Sequence, residues 1–110
     1  MTIGAVDFLS HSEKGEVAMP RYIVEREISG ASTFTARELH DVSQKSINAL
    51  RQMGTKIQWV QSYIARDKMY CEYIAPDEEM IREHAQKGGF PISRVSRIQT
   101  VIDPTTAEWR

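Results

Sequence analysis

Six stretches of the chain carry a regular alternation of apolar and polar residues, and each has its own start or stop signal. Tyr22-Ile23-Val24-Glu25-Arg26-Glu27 alternates with period two and is rich in strand formers. Ser29-Gly30-Ala31-Ser32 then reads as a loop. Thr35 and Glu38 have the spacing of a capping box, in which each side chain bonds the other's backbone N–H. Behind it Leu39, Val42, Ser46, Ala49, Leu50 and Met53 recur at three- and four-residue steps, one inward stripe of a helix closed by Gly54. Ile57 to Ile64 and Met69 to Ile74 are two further strands, and the short Arg66-Asp67 connection makes them a hairpin. Pro76 stops the strand and Asp77 is a good N-cap, with Glu78 and Glu79 at the positive end of the helix dipole. Met80, Ile81, His84 and Ala85 form the inward side of this second helix, and Gly88-Gly89 ends it. Phe90-Pro91 is a stiff turn, Val95 to Ile102 a last strand, and Pro104 its stop.

The order strand, helix, strand, strand, helix, strand is the split βαβ, or ferredoxin-like, pattern of the α+β class. It predicts a four-stranded antiparallel sheet with two helices on one face and the first and third strands in the centre. Residues 21–107 form this domain. Residues 1–20 have no such period and read as an N-terminal extension; Met19-Pro20-Arg21 resembles a natural start, so residues 1–18 are either an added segment or a misplaced beginning.

Composition narrows the function classes. The chain has 110 residues, 41% hydrophobic and 26% charged, which is ordinary for one globular domain. With 14 Lys and Arg against 15 Asp and Glu, the net charge of -1 gives no basic footprint for nucleic acid or an anionic membrane. No run approaches the roughly 18–20 apolar residues of a transmembrane helix. Asp7 and the polar stretch Ser10 to Glu16 do not fit a signal peptide, so a cytoplasmic setting is expected. Cys71 is the one cysteine, which excludes an internal disulfide and cysteine-rich zinc motifs.

Alternation assigns the strand residues to two faces. Val24, Val60, Ile64, Met69, Cys71, Tyr73, Ile98, Thr100 and Ile102 are expected under the helices. Ile23, Glu25, Trp59, Gln61, Tyr63, Tyr70, Glu72, Ile74, Arg97 and Gln99 are expected on the open face. Large aromatics mixed with carboxylates and an arginine suit a ligand cavity or an interface better than a solvated surface. By analogy with other small proteins of this fold, two such faces meet to form a dimeric α+β barrel.

Glu25 and Glu72 fall on neighbouring strands and one face, where two close carboxylates favour a bound cation or a shared proton. The plainer reading is that Arg97 neutralises Glu25 within an interface. His84 is a candidate metal ligand or proton carrier, against the plainer reading of a core-edge histidine bonded to backbone. Cys71 reads mainly as a small buried hydrophobe, with soft-metal or nucleophilic chemistry as its alternative. Trp59 and Tyr63 line either a pocket or a dimer contact.

Several blocks resemble a known family: Met19 to Arg26, Trp59 to Tyr63, Tyr70 to Pro76, Ile81 to Ala85 and Gly89-Phe90-Pro91. It is a family of small ferredoxin-like bacterial proteins of largely unknown function, with a described dimeric nickel-binding member. The likeness spans residues 19–107. It implies a homodimer and a nickel ion or another divalent transition metal, for which His84, Glu25, Glu72, Cys71 and Tyr63 are the available ligands.

Three functions follow. The first is a small dimeric metal-binding protein, nickel being the metal the resemblance implies. The second is a small-molecule binder or enzyme of the barrel type, an isomerase or cofactor-free oxygenase. There Glu25 or Glu72 is the base, Tyr63 the donor, Trp59 a wall and Arg97 an anchor for an anionic substrate. The third is a plain self-association module. Binding ranks above catalysis because no nucleophile–base–orienter set is visible.

Overall fold

The structure is a computed structural model that describes residues 19–108. Of the extension assigned to residues 1–20, residues 1–18 lie outside the described residues. Strand β1 spans Arg21–Glu27, helix α1 Ala36–Arg51, strand β2 Gln58–Ile64, strand β3 Lys68–Ile74, helix α2 Glu78–Gly88 and strand β4 Arg94–Arg97. The sheet order is β2-β3-β1-β4 with every pair antiparallel. This is the ferredoxin-like α+β arrangement, with β1 and β3 central. Among the described residues no helix is long and apolar enough to cross a membrane.

The local signals act as expected. Thr35 Oγ1 accepts from Glu38 N at 3.1 Å while Glu38 Oε1 accepts from Thr35 N at 2.8 Å, which completes the capping box of α1. Asp77 Oδ1 accepts from Met80 N at 2.9 Å and starts α2. Gly89, at φ 75°, ends that helix in the left-handed region that glycine enters without a Cβ clash. Helix α1 itself stops at Arg51, ahead of Gly54.

Tyr22, Val24, Met69, Cys71, Tyr73 and Ile81 form the core between the helices and the sheet. Its two layers place everything else: a side chain on the sheet lies either beneath the helices or on the open face.

The last strand is shorter than its sequence implies. Its predicted run to Ile102 ends at Arg97. Ile98 N still donates to Arg21 O at 2.9 Å, but there β1 begins and the edge strand has no further neighbour to pair with. Gln99, Thr100 and Ile102, assigned to sheet faces above, therefore belong to neither, and Val101 and Ile102 stand 72% and 75% exposed.

Candidate functional site

The rungs of the ladder fix which residues share a face, because partners directly opposite in an antiparallel pair point the same way. One open-face rung runs Tyr63, Tyr70, Glu25, Arg94 across all four strands. The next runs Gln61, Glu72, Ile23, Ser96. Glu25 and Glu72 are thus diagonal neighbours on the two central strands, on the open face. Each has a cation beside it: Arg21 Nη1 lies 2.6 Å from Glu72 Oε2, and Lys68 Nζ lies 3.9 Å from Glu25 Oε1. Glu72 is nearly buried, and Tyr63 stands half exposed with its hydroxyl accepting from Gln61 Nε2 at 2.7 Å.

Two residues expected on that face lie on the other. The β2–β3 register slips between Trp59 and Gln61, so Val60 is an extra residue in a bulge. Upstream of it, parity is reversed: Trp59 sits opposite Tyr73, on the helix side, and Val60 is exposed rather than covered. Arg97 sits opposite Tyr22, also on the helix side. The residue opposite Glu25 is Arg94, so Arg97 does not neutralise it.

Beneath the helices is a second polar cluster. Arg26 is 2% exposed. Its Nη1 donates to Pro91 O at 2.7 Å and its Nη2 to Tyr73 Oη at 3.0 Å, and its guanidinium lies 5.3 Å from the centre of the Phe90 ring. Burial pushes the Tyr73 phenol up to about 12, against the pull of the Arg26 charge and with Cys71 adding to the rise. Tyr73 therefore holds its proton.

His84 is fully buried against Tyr73 and Phe90, with ring centres 5.3 and 5.7 Å away. Its Nε2 is 3.2 Å from Ser46 Oγ and 3.4 Å from Ser46 O. A carbonyl oxygen only accepts, so this contact assigns the ring proton to Nε2 and leaves Nδ1, which has no partner among the described residues, as a bare lone pair. Burial lowers the His84 pKa, the bond to the Ser46 backbone opposes that, and the Arg26 charge adds to the lowering. Cys71 is buried in β3 on this same side.

A cavity of about 20 Å³ lies between α1 and the sheet. Arg26, Val42, Ser46, Trp59, Ser62, Met69, Cys71, Tyr73 and Phe90 line it, and the surface they turn toward it is mostly apolar. Trp59 Nε1 donates to Ser62 Oγ at 3.0 Å at its edge.

The five metal candidates are thus divided by the sheet, Glu25, Tyr63 and Glu72 on the open face and His84 and Cys71 beneath the helices. Among the described residues no three His, Cys, Asp or Glu side chains converge on a point that could hold a metal ion. A divalent cation beside His84 would also meet the buried Arg26 charge at short range. The five candidate ligand-binding residues divide too: Glu25, Tyr63 and Glu72 share the open face, Trp59 and Arg97 do not. Sequence reasoning passed over Arg26 and Arg21. For Arg26 the signal was parity, since Val24 inward puts Arg26 inward. For Arg21 it was diagonal reach to Glu72, which needs the register.

A comparison of the chain with protein families matches residues 22–98 to the family described as "Nickel responsive protein SCO4226-like". The chain belongs to the SCO4226-like family. The crystal structure of SCO4226 from Streptomyces coelicolor A3(2) is similar in fold, with a TM-score of 0.63 and 14% identity over 74% of this chain and 99% of that one. No curated protein matches the chain. At that identity the likeness to SCO4226 establishes the fold. The link to nickel rests on the name of the family.

Proposed function

We propose that this SCO4226-like protein is a homodimer that binds nickel between the open sheet faces of two copies, with Glu25 and Glu72 of each chain as ligands. The observation that carries this reading is the match of residues 22–98 to a family described as nickel responsive. One chain brings two carboxylates together, too few to enclose an ion. A two-fold axis through a face presents every residue twice and doubles that pair to four. Ile23, Tyr63, Tyr70 and Ile74 share the face and give the apolar contact such an interface needs. Arg21 and Lys68 balance carboxylates that would otherwise repel across it.

The metal, in this reading, is bound and sensed, not used as a catalyst. Carboxylate oxygens accept nickel and also zinc and copper, and copper binds more tightly at a given site. The cytoplasm is the setting we propose, since a buried, lone Cys71 suits a reducing compartment.

Equilibrium dialysis with elemental analysis at micromolar nickel tests the proposal. The wild-type chain retains nickel, and the Glu25→Gln/Glu72→Gln double variant binds it about tenfold more weakly or worse, since even outer-shell losses cost about 10-fold to 100-fold at metal sites. His84→Gln retains nickel as wild type does. No retention by the wild-type chain, or full retention by the double variant, overturns the reading.

A further inference from the structure

The Phe90 ring, at the turn that follows α2, has three basic groups around it. The Arg26 guanidinium lies 5.3 Å from its centre, the Lys45 ammonium 5.5 Å and the His84 ring 5.7 Å. The ring attracts the two permanent cations. A third would have nothing to balance it. From β1 the Arg26 charge acts on His84, and α1 brings Lys45 and the neutral Ser46. From β3 comes the Tyr73 phenol, with the Cys71 thiol bonded to it. On α2 itself, Glu83 and Lys87 are exposed and lie 3.9 Å from each other. Among the described residues no carboxylate pairs with Arg26, Lys45 or His84.

A proton added to His84 has one place to go. Nε2 already gives its hydrogen to Ser46, so the new proton falls on Nδ1, which is buried without a partner among the described residues. That creates an unmet donor and a second buried cation near Arg26, both of which need water. The shortest way to water is past Phe90, which is half-buried beside the exposed Pro91. Two bonds hold this turn: Phe90 N donates to Ala85 O at 2.8 Å, and Arg26 Nη1 to Pro91 O at 2.7 Å. Gly89, at φ 75°, is a ready joint. Phe90 and Cys71 both line the cavity between α1 and the sheet, so an outward swing of the ring uncovers a thiol that is otherwise 3% exposed.

We propose that Phe90 is a pH-sensitive latch: protonation of His84 swings the Phe90–Pro91 turn about Gly89 and exposes the Cys71 thiol, while the helices and the sheet stay folded. In the open form His84 is solvated and titrates near its ordinary 6.5; in the closed form it takes a proton only at lower pH. The open form therefore gains as pH falls below 6.5. The latch lies on the opposite side of the sheet from Glu25 and Glu72 and involves no nickel.

Labelling of Cys71 by methyl methanethiolsulfonate, followed by mass spectrometry of the full chain in metal-free buffer, tests this. The ratio of the wild-type rate to the His84→Gln rate cancels the titration of the thiol itself. We expect that ratio to rise about fivefold or more between pH 7.5 and 5.5. A flat ratio overturns the proposal. Hydrogen exchange of the wild-type chain over the same range separates a local swing from general unfolding. The Phe90 amide loses protection relative to the Ala49 amide of α1. Equal change at both amides, or none at Phe90, overturns the proposal. If His84→Gln does not fold, the exchange measurement decides alone.

Discussion

Arg26 and His84 occupy the same buried layer, and their charge states are set against each other. A second positive charge on His84 is penalised both by burial and by the neighbouring Arg26 guanidinium. A histidine whose pKa is lowered on folding binds fewer protons in the folded state than in the unfolded one. Stability is then complete above the unfolded value of 6.5 and is lost as pH falls from there toward the folded value. We expect the denaturant midpoint of the wild-type chain to drop between pH 7.5 and 5.5, and His84→Gln to show a smaller drop. Equal drops would show that His84 carries none of that dependence. Parity along β1 made Arg26 legible in the sequence. The partners of His84 were not legible, because Ser46 is 38 positions away and meets it only through the packing of α1 on α2.

Among the elements, both helix starts and the end of α2 were legible, since side-chain N-caps and the left-handed Gly89 cap are local events, whereas α1 ends at Arg51, short of Gly54. The bulge at Val60 and the early end of β4 were not. A bulge is visible only against its partner strand, and it moved Trp59 from one face to the other. The length of β4 is set by where β1 begins, not by the β-branched residues of β4 itself. The turn after α2 illustrates the same coupling. A Cβ at Gly88 would fall well inside van der Waals contact of the Phe90 ring, which itself lies against Arg26 and His84. Gly88→Ala must displace that ring, and we expect a loss of about 1–3 kcal/mol in chemical denaturation, the usual cost of overpacking. A stability equal to wild type would show that the ring moves freely.

At the scale of the whole molecule, the sheet is a partition. One side holds a buried arginine with neutral partners and a small cavity; the other holds two carboxylates and a row of half-exposed aromatic and aliphatic side chains. The ferredoxin-like fold was legible because six elements each announced themselves. The division of the candidate ligands was not, because it depends on which side of one sheet each strand residue faces and on a bulge that changes the answer midway. Within the described residues a lone chain gathers no complete metal set. The SCO4226-like match gives a reason to look for nickel, and the open face is the place we propose for it. The measurement that tests this most directly is a nickel anomalous difference map from nickel-soaked crystals of the full chain. The account predicts a peak on the open face within coordination distance of Glu25 and Glu72, between two copies of the chain. A peak beside His84 and Cys71, or none at all, would contradict it.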